Sequence, residues 1–165
     1  MSEADMERWS QVEESVELLQ TGDLPEAKKE LLGLVEAHPE NEYAHFFLGN
    51  LFYEEEDYAK ALKCYVAAMG AKKGYLGAMI GAGQSLRMLG DHEKALRMGR
   101  QVLRVEENDP DALFLVGATF FQRGEHAGAF GPLNRFLETN PEIEIAIEVR
   151  GMLQICRQEL GMPAE

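Results

Sequence analysis

The chain is poor in cysteine. Its 165 residues include only Cys64 and Cys156, which stand far apart in the sequence with no CxxC motif and no paired Cys/His spacing. Disulfide-stapled secreted domains and structural metal sites need more such residues at closer spacing. This scarcity predicts a reducing, cytoplasmic location, and with only four scattered histidines we expect neither a metal nor any other cofactor.

Long apolar runs and an excess of basic residues are also lacking. No apolar stretch approaches the roughly 18 residues that a spanning helix needs, and the N-terminal MSEADMERWS lacks the basic and apolar segments of a secretory signal. Sixteen Lys and Arg residues accompany 29 Asp and Glu residues, a net charge of −13. Because no apolar run is long enough, we expect no membrane span. Because the negative charge repels phosphate backbones, we expect no nucleic-acid partner.

Arrangements that carry catalysis are absent as well. There is no Ser/His/Asp or Cys/His set, no glycine-rich phosphate loop and no convergent carboxylate pair. Glutamates are numerous, but on helical surfaces they usually face solvent. The sequence therefore predicts a protein that is not an enzyme.

What the sequence does contain is a repeat of 34 residues. The recurring segments are GDLPEAK (22–28), EDYAKAL (56–62), GDHEKAL (90–96) and GEHAGAF (124–130). Small residues recur in phase with them at Ala27, Ala61, Ala95 and Ala129, and at Gly49, Gly83 and Gly117. A fixed period of this length is typical of stacked helical repeats, in which each unit buries its apolar face against its neighbours.

Each repeat contains signals for two helices and the turn between them. The glycines at 22, 90 and 124 are suited to end a first helix in a left-handed conformation, and the aspartates at 23, 57 and 91 to cap a second. Two places break the pattern. Gly99 and the glycines between 70 and 83 weaken the third repeat, and Pro132 predicts that the last second helix kinks or begins late near 132.

With these residues in view, the chain resembles the tetratricopeptide repeat family. The second repeat carries the resemblance best, through Leu48-Gly49, Phe52, Tyr58, Ala61, Tyr65 and Ala68. The resemblance implies an all-α fold, a right-handed helical solenoid of four helix-turn-helix repeats plus a C-terminal capping helix. We expect one domain over 1–165, with repeats at about 8–41, 42–75, 76–109 and 110–142 and the capping helix at about 143–160.

The resemblance also implies a concave groove lined by the first helix of each repeat. The groove residues that match the family's positions are Trp9, Tyr43, Phe46, Asn50, Tyr53, Ile80, Gln84, Arg87, Met88, Phe114, Phe121 and Gln122. Phe46 and Gly77 stand where some members carry lysines that clamp a peptide carboxylate, so that clamp is absent. An apolar, aromatic lining suits an amphipathic helix or an extended apolar peptide.

A basic stripe is the second candidate site. Its residues, Lys94, Arg97, Arg100 and Arg104, follow at spacings of three, three and four, so they share one helical face. Such a stripe is either a solvated surface or a second contact. The acidic segment 54–57 of another copy is a complementary partner and would give a weak homo-oligomer.

The leading interpretation is a non-enzymatic scaffold or adaptor that binds a partner peptide or helix in the groove. Two alternatives stay open on the sequence. One is a client-holding chaperone similar to tetratricopeptide-type secretion chaperones, and the other is a structural subunit that assembles with itself.

Overall fold

The computed structural model describes residues 2–163, and over that range the regular structure is helical, with no strand. The helices are α1 Glu3–Thr21, α2 Leu24–Ala37, α3 Glu42–Glu54, α4 Tyr58–Ala71, α5 Leu76–Met88, α6 His92–Val105, α7 Pro110–Gln122, α8 His126–Glu138 and α9 Ile143–Glu159. The predicted all-α class is confirmed, and the 34-residue period corresponds to one pair of helices.

The chain forms two compact units, Met1–Ser85 and Leu86–Glu165. In the first unit α1 packs on α2 and α3, and α3 packs on α4. In the second unit α7 packs on α6 and α8, and α8 packs on α9. The boundary between the units falls within α5, and the expected single domain stays a prediction.

The turn between the two helices of a repeat follows the sequence signals. The side chains of Asp23, Asp57 and Asp91 each accept a hydrogen bond from the backbone N–H three residues on. Left-handed glycines precede Asp23 and Asp91, with φ of 86° at Gly22 and 83° at Gly90. Gly124, with φ of 73°, precedes Glu125, whose side chain makes no cap hydrogen bond. The second repeat has no glycine there, and Glu56 adopts the left-handed conformation instead, with φ of 61°.

Two helices differ from expectation. α1 begins at Glu3, upstream of the predicted first repeat, because Ser2 and Asp5 form a capping box. Hydrogen bonds from the side chain and backbone of Ser2 lower the pKa of Asp5 to about 2. Pro132 predicts a kink or a late start near 132, and the late start does not occur, since α8 begins at His126 and contains Pro132. The kink stays a prediction. The burial of Leu133 and Phe136 beyond the proline stabilises the second half of α8.

Gly99 has a packing role that the sequence did not indicate. A Cβ atom placed there would lie 2.6 Å from Cγ2 of Val116 on α7. The absence of a side chain therefore lets α6 and α7 approach closely. The same is true of Gly117, where a Cβ would lie 2.6 Å from Cδ2 of Leu133 on α8.

Candidate functional site

Six aromatic rings pack together in the first unit. This aromatic cluster consists of Trp9, Tyr43, Phe46, Phe47, Tyr65 and Tyr75, with ring centroids 5.2 to 6.2 Å apart between neighbours. Trp9, Tyr43 and Phe46 are predicted groove residues, and the other three were missed. All six except Tyr65 are half-buried. The rings therefore form a contiguous, partly exposed apolar surface on α1, α3 and the segment before α5.

Tyr65 is the buried member of the cluster. Its hydroxyl donates a hydrogen bond of 2.8 Å to Oδ1 of Asn50, so this predicted groove residue holds a core tyrosine. The ring faces two glycines, and a Cβ would lie 2.9 Å from Tyr65 Cε1 at Gly49 and 2.5 Å at Gly81. Burial raises the pKa of the Tyr65 hydroxyl. The space that Gly49 leaves is thus filled by an aromatic side chain.

The ammonium group of Lys72 lies beside the cluster. Nζ of Lys72 lies 5.3 Å from the ring centroid of Tyr43 and 5.7 Å from that of Tyr75. Burial acts to lower the pKa of Lys72, but the hydrogen bond and charge of Tyr43, together with Glu42 and Asp5, raise it. Lys72 is therefore a positive charge at the edge of the aromatic surface, and it pairs with Glu42 at 3.5 Å and with Asp5 at 3.8 Å.

A buried ion pair connects α1 to α3 beneath this edge. The carboxylate of Glu42 is 1% exposed and lies 2.7 Å from Nε of Arg8 and 3.5 Å from Nζ of Lys72. Because Glu42 is buried, these contacts between opposite charges are shielded from water. The pairing fixes the start of α3, from which Tyr43 and Phe46 project.

The other predicted groove residues of the first unit lie outside the cluster. Tyr53 packs edge-on against Tyr58, with centroids 5.1 Å apart. Ile80 and Gln84 are half-buried on α5.

In the second unit the predicted residues do not gather into one cluster. Phe114 packs against Phe136 at 5.5 Å, and the guanidinium carbon of Arg87 lies 6.0 Å from the Phe114 ring. Phe121 packs against His126 at 5.8 Å. The remaining two, Met88 and Gln122, are exposed.

The basic stripe lines a cleft of the second unit. Arg97, Arg100 and Arg104 of α6 line this cleft together with Arg123, the apolar residues Leu96 and Phe120, and two acidic residues, Glu93 and Glu125. Lys94 is not among the lining residues and pairs with Asp91 at 2.7 Å. We call the four arginines and these two apolar residues the arginine cleft.

Side chains of the acidic segment 54–57 are partly neutralised within the first unit. Glu55 pairs with Lys28 at 2.6 Å and Asp57 pairs with Lys60 at 2.8 Å. The segment therefore offers fewer free carboxylates than its sequence indicates.

In the part of the chain that the structure describes, no three His, Cys, Asp or Glu side chains are placed to hold a metal ion together. Within the same residues, no helix combines the length and apolar character needed to cross a bilayer.

Comparison with known proteins identifies the family. Residues 13–74 and 80–142, which are most of the chain, match the tetratricopeptide repeat family model. The chain therefore belongs to the tetratricopeptide repeat family, whose members are in general non-enzymatic protein-interaction modules. A comparison with curated protein sequences finds no match.

Solved structures share the fold at low sequence identity. A MamA protein is 15% identical with a TM-score of 0.79, over 94% of this chain and 83% of that one. YrrB, described as a tetratricopeptide repeat protein with an unusual peptide-binding site, is 18% identical with a TM-score of 0.74, over 92% and 76%. A Parabacteroides merdae repeat protein is 21% identical with a TM-score of 0.72, over 92% of this chain but 60% of that one.

Proposed function

We propose that the protein is a non-enzymatic scaffold or adaptor that binds a peptide or helix of a protein partner. The observation that carries the proposal is the aromatic cluster, in which five of six rings stay partly exposed although they pack on one another. Contiguous exposed aromatic surface is typical of protein-binding sites, and Trp and Tyr are enriched among the residues that dominate binding energy.

Two further features support this assignment. Lys72 contacts the rings of Tyr43 and Tyr75 and also pairs with Glu42 and Asp5, so it holds the edge of the aromatic surface in place for a peptide. The fold is also that of YrrB, for which a peptide-binding site is described.

The other predicted groove residues, from Asn50 to Gln122, stay part of the proposal as flanking or supporting positions. The cytoplasmic location stays a prediction.

The test begins with affinity purification of the tagged full chain and identification of the proteins that it retains. Trp9 and Tyr43 are then replaced by alanine, singly and together. Because each is half-buried beside the other at 5.2 Å, loss of one ring should weaken binding by about 2 kcal/mol, which is typical of a hot-spot residue. Titration of the purified partner would measure this change.

Phe130→Ala is the matched control. Phe130 is a half-buried ring of the second unit under the guanidinium of Arg157 and lies outside the aromatic cluster. We expect this variant to keep the partner. If the two single variants and the double variant folded normally and still bound every partner with wild-type affinity, the assignment of the binding surface would be wrong.

A further inference from the structure

The arginine cleft carries an inference that is independent of the aromatic cluster. It is a depression of about 440 Å³ with guanidinium groups from α6 and from the end of α7 on its walls. Leu96 and Phe120 make part of its lining apolar, and Glu93 and Glu125 also line it, so the four arginines leave the cleft with a net positive charge. The guanidinium carbon of Arg100 lies 5.4 Å from the Phe120 ring centroid, and this cation–π contact restrains the arginine side chain. Such a group of arginines contrasts with the net charge of −13 of the whole chain.

These guanidinium groups are available to a ligand. Arg123 pairs with Glu125 at 2.6 Å, but among the described residues no carboxylate forms an ion pair with Arg97, Arg100 or Arg104. All three are exposed. Arginine binds carboxylates through two parallel hydrogen bonds, so three unpaired arginines side by side favour an anionic partner.

The spacing indicates what kind of anion fits. Arg97 and Arg104 are seven residues apart on one helix, so their Cα atoms are separated by about 10 Å along its axis. One phosphate or one carboxylate cannot contact both ends of such a row. A helix that carries acidic side chains three and four residues apart presents its charges over the same distance. We propose that the arginine cleft binds an acidic helical segment of a protein partner.

The occupant is a different protein rather than a second copy of this chain. The acidic segment 54–57, which the sequence suggested as the complementary surface, already pairs Glu55 and Asp57 with lysines of its own unit. Two copies also repel each other, since each has a net charge of −13. A short segment brings only a few negative charges into this field and suffers less repulsion.

The experiment uses the full chain and a fluorescent, alanine-rich helical peptide with three glutamates spaced three and four residues apart. A second peptide has the same composition with its glutamates on different faces. Fluorescence anisotropy at low salt should show the matched peptide binding more tightly. Replacement of Arg97, Arg100 and Arg104 together by glutamine should weaken that binding about tenfold or more, as expected for several exposed ion pairs. Roughly 0.5 M salt should abolish it by screening.

The control variant replaces Lys63, Lys73 and Arg150 by glutamine, an equal change of charge at exposed positions outside the cleft. It should keep wild-type binding. Equal affinity for the two peptides, or equal losses in the two triple variants, would reduce the effect to general charge attraction and overturn the proposal. Tighter binding of a single-stranded oligonucleotide than of the matched peptide would also overturn it. So would sedimentation that shows self-association of the wild type and none in the arginine variant.

Discussion

Glu56 is a residue in a conformation that its side chain disfavours. Its φ of 61° matches the left-handed glycines at the same place in the other repeats. For a residue with a Cβ atom this conformation costs about 1 kcal/mol or more, and the surrounding contacts must offset that cost. The second repeat therefore keeps its turn in spite of the local sequence.

Glu56→Gly should raise the free energy of unfolding by about 0.5–1 kcal/mol, because relief of the strain exceeds the extra flexibility of glycine in the unfolded chain. Urea unfolding measures the change. Glu14→Gly is the matched control, since Glu14 is exposed and negatively charged but lies in the middle of α1, where glycine has a low helix propensity. That substitution should destabilise. A loss of stability in both variants would show that Glu56 is not strained.

Helical glycines differ in the space around them. A Cβ at Gly81 would lie 2.5 Å from the Tyr65 ring, whereas a Cβ at Gly33 in α2 would meet nothing within 4 Å. Gly81→Ala should therefore lower the free energy of unfolding by about 1–3 kcal/mol through overpacking. Gly33→Ala should raise it by about 0.5–1 kcal/mol through helix propensity. Thermal or urea unfolding would test the opposite signs, and a gain in both variants would mean that the Tyr65 ring moves aside freely.

At the scale of elements, one buried asparagine joins two helices. The Oδ1 atom of Asn41 accepts hydrogen bonds from the backbone of Tyr43 and Ala44 at the start of α3. Its Nδ2 group donates to the carbonyl of Arg8 at 2.8 Å and to Oε1 of Gln11 at 2.9 Å, both on α1. Asn41 is 0% exposed, so each of these bonds is shielded from water.

Asn41→Ala should lower the free energy of unfolding by about 2–4 kcal/mol, because it removes a helix cap and leaves buried polar groups without partners. Asp109 is the matched comparison. It stands two repeats downstream and caps α7 through one bond of 2.8 Å to the backbone of Ala112, so Asp109→Ala should cost about 1 kcal/mol. Equal losses measured by urea unfolding would show that the bonds from Asn41 to α1 add no stability.

The sequence predicts the local features of these elements well. Caps such as Asp57 and the left-handed Gly22 follow from short-range chemistry that recurs with the repeat. Contacts between helices are harder to predict from the sequence, because only the fold brings the rings of Tyr65 and Tyr75 into the aromatic cluster. The role of a glycine within a helix is also hard to predict from sequence. Gly99 has a low helix propensity, and only the fold shows that a Cβ atom there would lie too close to Val116.

At the scale of the whole molecule, the charge is unevenly divided. Residues 1–85 contain 7 basic and 16 acidic residues, a net of −9, and residues 86–165 contain 9 basic and 13 acidic residues, a net of −4. The aromatic cluster lies in the more acidic unit and the arginine cleft in the less acidic one. Electrostatic attraction mainly alters association rates and specificity, whereas buried aromatic anchors mainly alter dissociation. The two surfaces are therefore suited to partners of different chemistry.

Stability should also differ along the chain, since repeats depend mostly on their nearest neighbours. α8 has no side-chain hydrogen bond at its N-cap, Glu125, and contains Pro132, which cannot donate to the carbonyl one turn earlier. α3 and α4 are both capped, by Asn41 and Asp57. Amides in 124–140 should therefore exchange with deuterium faster than those in 42–69 under native conditions.

Pro132→Ala provides the internal check on this cause. The substitution restores a backbone donor inside α8, so exchange across 124–140 should slow while exchange across 42–69 stays unchanged. Hydrogen exchange followed by mass spectrometry or NMR would measure both segments in one sample. Uniform protection of the wild type would contradict the expected difference in stability. Faster exchange at 124–140 that Pro132→Ala leaves unaltered would instead assign the weakness to the missing cap at Glu125, because the proline would then contribute nothing to local opening.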